Sequence, residues 1–253
     1  MILKDRVAVV TGAGSGIGLA SARIMAREGA IVVVTDRSEE AANSAVEKIL
    51  AAGGRAQAIV TDVSDDAAIE HMIQATLKQH QRIDILHNHA GIQVEGTLEQ
   101  VSVEGFDQSF LINVHAHFVA SRLVVPGMKE RGGGVILNTS SGSGIFYDRE
   151  MIAYTTSKHA AVAMTRQMAV DYAQFNIRVN ALCPGWVDTP FNDAFVRQRG
   201  SKAAIDAYVK ERVPMGRWGS TQEMAEAVLF LVSDRSSYMT GQALVIDGGE
   251  VIA

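Results

Sequence analysis

Tyr154 and Lys158 stand four residues apart, and Ser141 precedes the tyrosine by thirteen. On a helix, side chains four apart share one face a turn apart, so a phenol and an ammonium would be neighbours. A phenol titrates near ~10 and is a poor base at neutral pH. A nearby ammonium favours the phenolate, and a cationic ring bound alongside would add to that. Lowering the phenol by about three units needs on the order of 4 kcal/mol, which two cations in a partly dry site can supply. The chemistry suggested is proton exchange with an alcohol or carbonyl oxygen, with the Ser141 hydroxyl orienting that oxygen. Each residue also has a plainer reading: a surface Tyr–Lys pair, and a serine that caps a turn.

A second group of residues could hold a nucleotide. Thr11-Gly12-Ala13-Gly14-Ser15-Gly16-Ile17-Gly18 follows an apolar run and opens a helical pattern. A strand end running into a helix N-terminus presents free amides to a pyrophosphate, although glycines there also serve turn geometry alone. The spacing is G-x-x-x-G-x-G rather than strict G-x-G-x-x-G. Asp36 closes the next apolar run, where a carboxylate accepts hydrogen bonds from adenosine-ribose hydroxyls and repels a 2′-phosphate. Arg37 beside it would offset that repulsion in part. The pattern therefore favours NAD over NADP.

The elements that must position these residues alternate. Continuously apolar runs at 7–11, 31–36, 56–61, 83–88, 134–139, 177–182 and 243–246 read as strands covered on both faces. Helical patterns lie at 17–28, 39–52, 65–80, 103–131, 152–175 and 221–231, with Ser38 and Ser64 as expected N-caps and Gly29 and Gly53 as stops. Strand–helix repetition at this rhythm predicts an α/β fold: one Rossmann-type, doubly wound parallel sheet of about seven strands, helices on both faces, a single domain over 1–253. Strand C-termini line the ligand crevice of such a sheet, which puts Ser141 and the start of the helix carrying Tyr154 at the same edge. The segment 190–213 breaks the rhythm and reads as a substrate-side lid or, alternatively, a connecting helix.

Composition narrows the class. With 23 basic and 28 acidic side chains the formal charge is −5, which gives no electrostatic reason to expect nucleic acid or an anionic membrane as partner. No apolar run reaches membrane-spanning or signal-peptide length. The single Cys183 fits a reducing compartment and reads as a buried strand residue, so the expected location is cytoplasmic. Histidines and carboxylates show no metal-ligand spacing, so no metal is expected. The apolar pattern at 224–231 suggests a surface covered by a second subunit.

Over essentially its full length the sequence resembles the short-chain dehydrogenase/reductase family. The resemblance rests on the glycine loop, Asp62-Val63, Asn88-His89-Ala90-Gly91, Asn113, Ser141, Tyr154 with Lys158, and Pro184-Gly185 followed by Val187 and Thr189. It implies an NAD-dependent alcohol dehydrogenase with Tyr154 as acid/base and Ser141 polarising the substrate oxygen. Lys158 would lower the phenol and bind the nicotinamide ribose, and Asn113 would hold a relay water. Asp62 and the Val63 backbone would meet the adenine, Asn88, Ala90 and Gly91 would line the ribose, and Val187 and Thr189 the carboxamide or pyrophosphate. A homo-oligomer, often a tetramer, is implied as well. His89 departs from the usual second Asn and is expected to be a structural substitution.

Substrate candidates follow from position: Gln93, Glu95, Ser143, Phe146, Tyr147, Asp148, Arg149 and Trp186, with the lid. Their polarity suits a small-molecule sugar, polyol or cyclic alcohol, while Arg149, Arg197 or Arg199 could meet a carboxylate or sulfonate. The alternatives are a ketoreductase of 3-oxoacyl thioesters or related ketones and, in another class, a catalytically silent nucleotide-binding scaffold on the same fold.

Overall fold

The computed structural model of the chain describes residues 1–193, 196 and 200–253. Seven strands form one sheet: β1 (Val7–Thr11), β2 (Ile31–Asp36), β3 (Arg55–Val60), β4 (Ile85–Asn88), β5 (Gly134–Thr139), β6 (Ile177–Pro184) and β7 (Ala243–Ile246). Their order is β3-β2-β1-β4-β5-β6-β7, and every pairing is parallel. Between them run α1 (Gly16–Arg27), α2 (Glu39–Ala51), α3 (Asp66–His80), α4 (Val103–Phe110), α5 (Ala116–Glu130), α6 (Ile152–Tyr172), α7 (Lys202–Arg212) and α8 (Thr221–Val232).

Alternation along β1 shows why both faces need cover. Ala8 and Val10 join Met25 of α1, Ile49 of α2 and Val228 of α8 in one core. Val9 points the other way, to Met72 of α3, Ala120 of α5 and Met168 of α6. An apolar residue on each side of the sheet, strand after strand, is what a doubly wound sheet requires. None of the helices among the described residues is long and apolar enough to cross a membrane.

Several expectations need correction. Asp65, not Ser64, caps α3, its side chain accepting the Ala67 amide. Ser64 instead gives its amide and hydroxyl to Asp62. The single helix expected at 103–131 is broken by a π-turn, Leu111–His115, between α4 and α5. The apolar face of α8 is answered inside the chain: Met224, Ala225, Val228, Leu229, Leu231 and Val232 are all buried, and α8 packs on α1, β5 and β6. Its apolarity therefore does not require a second subunit. Within 190–213 the connecting-helix reading holds for α7, whose Ile205 and Val209 join Val213, Trp186 and Trp218 in a small core of their own.

Candidate active site

The sheet order reverses between β1 and β4, and a cleft of about 540 Å³ opens at the strand C-termini there. Gly12, Ser15, Gly16, Ile17, Asp36, Arg37, Asp62, Val63, Ala90, Gly91, Pro184, Gly185, Val187 and Thr189 all line it. Gly12 has φ +64°, and a Cβ there would sit 3.0 Å from the Ala90 Cα, so the turn after β1 tolerates only glycine. Gly18 lies outside the lining. Its missing side chain lets α1 pack against the Gly12 carbonyl and His89.

The fit to a dinucleotide can be judged from the helix starts. α2, α3, α4, α7 and α8 each begin on a Ser or Asp whose side chain accepts a first-turn amide. At α1 the Ser15 side chain makes no such bond and the first turn carries no carboxylate. Its amides and its positive dipole end are left for an anion from outside the chain. Asp36 is already aimed: its Oδ2 accepts the Gly14 amide at 3.1 Å and its Oδ1 the Ser38 amide at 3.0 Å. Asp62 accepts both Ser64 donors, which hold its carboxyl below the ordinary range. The residues present fit a nicotinamide dinucleotide.

At the other end of the cleft stand Ser141, Tyr154 and Lys158. The tyrosine lies in the first turn of α6, buried, with the buried Lys158 Nζ 5.6 Å from its ring centre. Nζ donates to the Thr139 carbonyl at 3.1 Å, and the Ser140 hydroxyl donates to the Lys158 carbonyl, tying α6 to the end of β5. Ser141 Oγ accepts the Ser143 amide and caps a short turn, and the residue also lines the cleft.

The electrostatics correct one expectation. Burial pushes the Tyr154 phenol up to about 12, with the Ser141 hydroxyl acting in the opposite direction and the Asp148 charge reinforcing the rise. Burial likewise lowers Lys158 to about 8. In the chain by itself the amine does not make the phenol acidic, because both groups are withdrawn from water.

Asn113 sits in the π-turn, outside the cleft lining. Its Nδ2 donates to the Ile92 carbonyl and the Ser157 hydroxyl, and its Oδ1 accepts the Ile92 amide. These bonds fix the segment following Gly91 against α6. Asn88 is also corrected: it lies beneath the cleft, donating to Asn138, Ser121 and the His117 carbonyl. His89 lines the cleft and bonds Thr139 Oγ1 through Nδ1, with His87 on the same hydroxyl. It links the ends of β4 and β5, which is the structural part expected of it. Burial holds it near 4, hence neutral at physiological pH. Among the described residues, no three His, Cys, Asp or Glu side chains converge to hold a metal ion.

Of the substrate candidates, Gln93, Ser143, Phe146 and Trp186 line the cleft, with Asp148. Arg149 is exposed and outside the lining, because the turn before Met151 points it to solvent. Arg197 and Arg199 lie outside the described residues. Ile92, Ile112, Met151 and Glu250 are among the lining residues that escaped sequence reasoning. Nothing local marks Glu250; only the turn of Gly248 and Gly249 after β7 hints that the chain doubles back.

Comparison with known proteins matches residues 12–250 to a family described as enoyl-(acyl carrier protein) reductase. An uncharacterized oxidoreductase of Thermotoga maritima is 40% identical over 249 residues, covering 98% of each chain. The 3-oxoacyl-[acyl-carrier-protein] reductase of the same organism is 36% identical over all of both chains. Cyclohexanol dehydrogenase of Acinetobacter sp. is 34% identical over 97% of this chain and 94% of its own. Two solved structures superpose closely. One is a 7α-hydroxysteroid dehydrogenase complexed with NADH and 7-oxo glycochenodeoxycholic acid, TM-score 0.91, 35% identical, covering 98% and 94%. The other is a gluconate 5-dehydrogenase from Burkholderia cenocepacia with NADP and tartrate, TM-score 0.92, 33% identical, covering 100% and 98%.

Proposed function

The chain belongs to the short-chain dehydrogenase/reductase family of oxidoreductases acting on alcohol and carbonyl groups, and from that premise we propose that it is an NAD-dependent dehydrogenase of a secondary alcohol such as a sugar, polyol or cyclic alcohol. The observation that carries the reading is the sharing of one cleft by Asp36, the uncapped α1 amides and the buried Ser141–Tyr154–Lys158 group. When bound, the nicotinamide supplies the hydride acceptor.

The chain's own residues do the rest. The α1 amides and the glycine turn seat the pyrophosphate, and Asp36 takes the adenosine ribose hydroxyls while its charge rejects a 2′-phosphate. Asp62 and Val63 flank the adenine. Ser141 donates to the substrate oxygen and holds it beside Tyr154 Oη, which takes the alcohol proton. Lys158 binds the nicotinamide ribose and stabilises the Tyr154 phenolate that accepts this proton. Asn113 acts as a positioning residue through Ile92. Val187 and Thr189 meet the carboxamide and pyrophosphate from the β6 side.

Two measurements test this. Initial rates over a panel of cyclic alcohols, polyols and hydroxy acids should favour NAD at least tenfold over NADP; equal rates would overturn the cofactor assignment. Tyr154→Phe should lose about 10³-fold in kcat, within the span of general acid–base catalysis, with NADH binding by fluorescence within threefold of the parent. Surviving turnover would remove Tyr154 from the mechanism.

A 3-oxoacyl thioester reductase is the second reading, supported by the 36% identity to that enzyme; it predicts preference for the phosphorylated cofactor, against Asp36. A cytoplasmic homotetramer belongs to the same proposal. It is supported by the free, buried Cys183 and by apolar Phe118 and Val103, left exposed on α5 and α4. Sedimentation showing only monomer at micromolar concentration would contradict it.

A further inference from the structure

The substrate end of the cleft carries two carboxylates from distant parts of the chain. Asp148 arrives on the loop between β5 and α6, and Glu250 on the turn that follows β7. Glu250 is only 8% exposed, although it lines the cavity. Its place is built. Asp247 accepts the amides of Gly249 and Val251 at 2.8 Å each, closing the turn, and the Trp186 indole donates to Glu250 Oε1 at 2.8 Å. Asp148 is held in a similar way, its Oδ2 accepting the Ser143 hydroxyl at 2.8 Å. Among the described residues, no donor reaches Glu250 Oε2 or Asp148 Oδ1.

A carboxylate accepts hydrogen bonds and donates none, so two open oxygens in a sheltered pocket call for donors on the ligand. Burial pushes both Glu250 and the Tyr154 phenol upward; the Trp186 hydrogen bond opposes the rise at Glu250 and the Ser141 hydroxyl opposes it at the phenol, while the Asp148 charge reinforces both. A ligand anion brought beside the two carboxylates would be repelled in a medium that screens poorly. Among the described residues, the cations near these groups are Lys158, which lines the cleft and donates to the Thr139 carbonyl, and the exposed Arg212, which lies outside the lining and partly offsets the rise at Glu250. Phe146, Met151 and Trp186 supply apolar walls for a carbon frame.

Resting on the dehydrogenase reading above, we propose that Asp148 and Glu250 select an uncharged alcohol bearing at least one further hydroxyl, and exclude alcohols bearing a carboxylate. The hydroxyl beyond the reacting carbon donates to the open carboxylate oxygens while Ser141 and Tyr154 hold the reacting oxygen. This separates the chain from its gluconate-oxidising structural neighbour, whose substrate is an anion.

The test compares cyclohexanol, the 1,2-, 1,3- and 1,4-cyclohexanediols, and 3-hydroxycyclohexanecarboxylate. At least one diol should exceed cyclohexanol tenfold in kcat/KM, and the hydroxy acid should fall at least tenfold below it. A hydroxy acid used as well as cyclohexanol would overturn the proposal. Glu250→Gln keeps an oxygen for the Trp186 indole, and Asp148→Asn keeps one for Ser143, so both should fold. Each should raise the ratio of hydroxy-acid to diol kcat/KM about tenfold; an unchanged ratio would show that the carboxylates do not select. Should no compound turn over with either cofactor, the dehydrogenase reading fails, and calorimetric binding of the diols and the hydroxy acid to the chain still decides this one. Tighter binding of a diol upholds selection, and tighter binding of the acid refutes it.

Discussion

The two ends of the cleft are built on opposite plans. At the adenosine end the working side chains are short carboxylates at strand ends, each gripped by main-chain amides within a few residues: Asp36 by Gly14 and Ser38, Asp62 by Ser64. At the end proposed for catalysis, Tyr154 and Lys158 on α6, His89 after β4 and Glu250 after β7 come from three separate elements and are withdrawn from water. The first end is rigid because its hydrogen bonds are local. The second is dry, and its charged groups stand away from their ordinary titration ranges. Recognition of a constant ligand part needs only fixed donors and acceptors, whereas proton transfer needs groups whose protonation is close to balance.

The sharpest way to break that contrast is Lys158→Met. Turnover should fall by at least 10²-fold, since the phenolate loses its cation. Stability should move the other way. Lys158 titrates near 8 in the folded chain against an ordinary 10.5. Between those values the unfolded chain holds a proton that the folded chain has lost, so the parent gains stability as pH rises through the window. By pH 10 the gain is about 2 kcal/mol. The variant should be more stable than the parent near pH 7, with the difference closing by pH 10. Tyr154, raised to about 12, has the opposite sign and lowers stability only above pH 10. Urea unfolding from pH 7 to 10 reads the effect. A pH-independent difference would mean that the lysine is not held at a cost.

Asp36→Ala sharpens the other half. Removing the carboxylate should weaken NAD binding about tenfold, roughly 1.4 kcal/mol, and narrow the preference over NADP, with Arg37 free to meet a phosphate. NADH and NADPH titrations followed by fluorescence decide it. An unchanged ratio of the two affinities would put ribose recognition elsewhere.

The same division explains what could be read without coordinates. The α/β sheet, its seven strands and the adenosine end were legible because period, caps and glycines are local signals: Val7–Thr11 runs into the loop, and Asp36 closes β2. Tyr154 and Lys158 were legible because one helical turn joins them. Glu250 was not, since only the tertiary path of the turn after β7 brings it to Trp186. The contacts of Asn113 were not legible, because the π-turn that aims it at Ile92 has no mark in the residue pattern. Arg149 failed for the reverse reason: sequence proximity to Tyr154 says nothing about which way a loop side chain points. The rise of the phenol in the chain by itself was not legible because burial, its largest cause, is a property of the whole fold.

The smallest expected effect tests whether the adenosine end is as self-contained as its hydrogen bonds suggest. Ser38 plays two parts there: its amide donates to Asp36 Oδ1, and its hydroxyl accepts the Ala41 amide to cap α2. Ser38→Ala removes the second and keeps the first. The lost cap should cost about 1 kcal/mol of stability, visible as a small drop in urea midpoint with an unchanged slope. NAD affinity should stay within twofold, because the grip on Asp36 comes from main-chain groups that the substitution leaves in place. A tenfold loss of affinity would show that the carboxylate depends on the α2 N-terminus as a unit. The adenosine end would then be assembled through packing, as the catalytic end is, and the contrast between the two would fail.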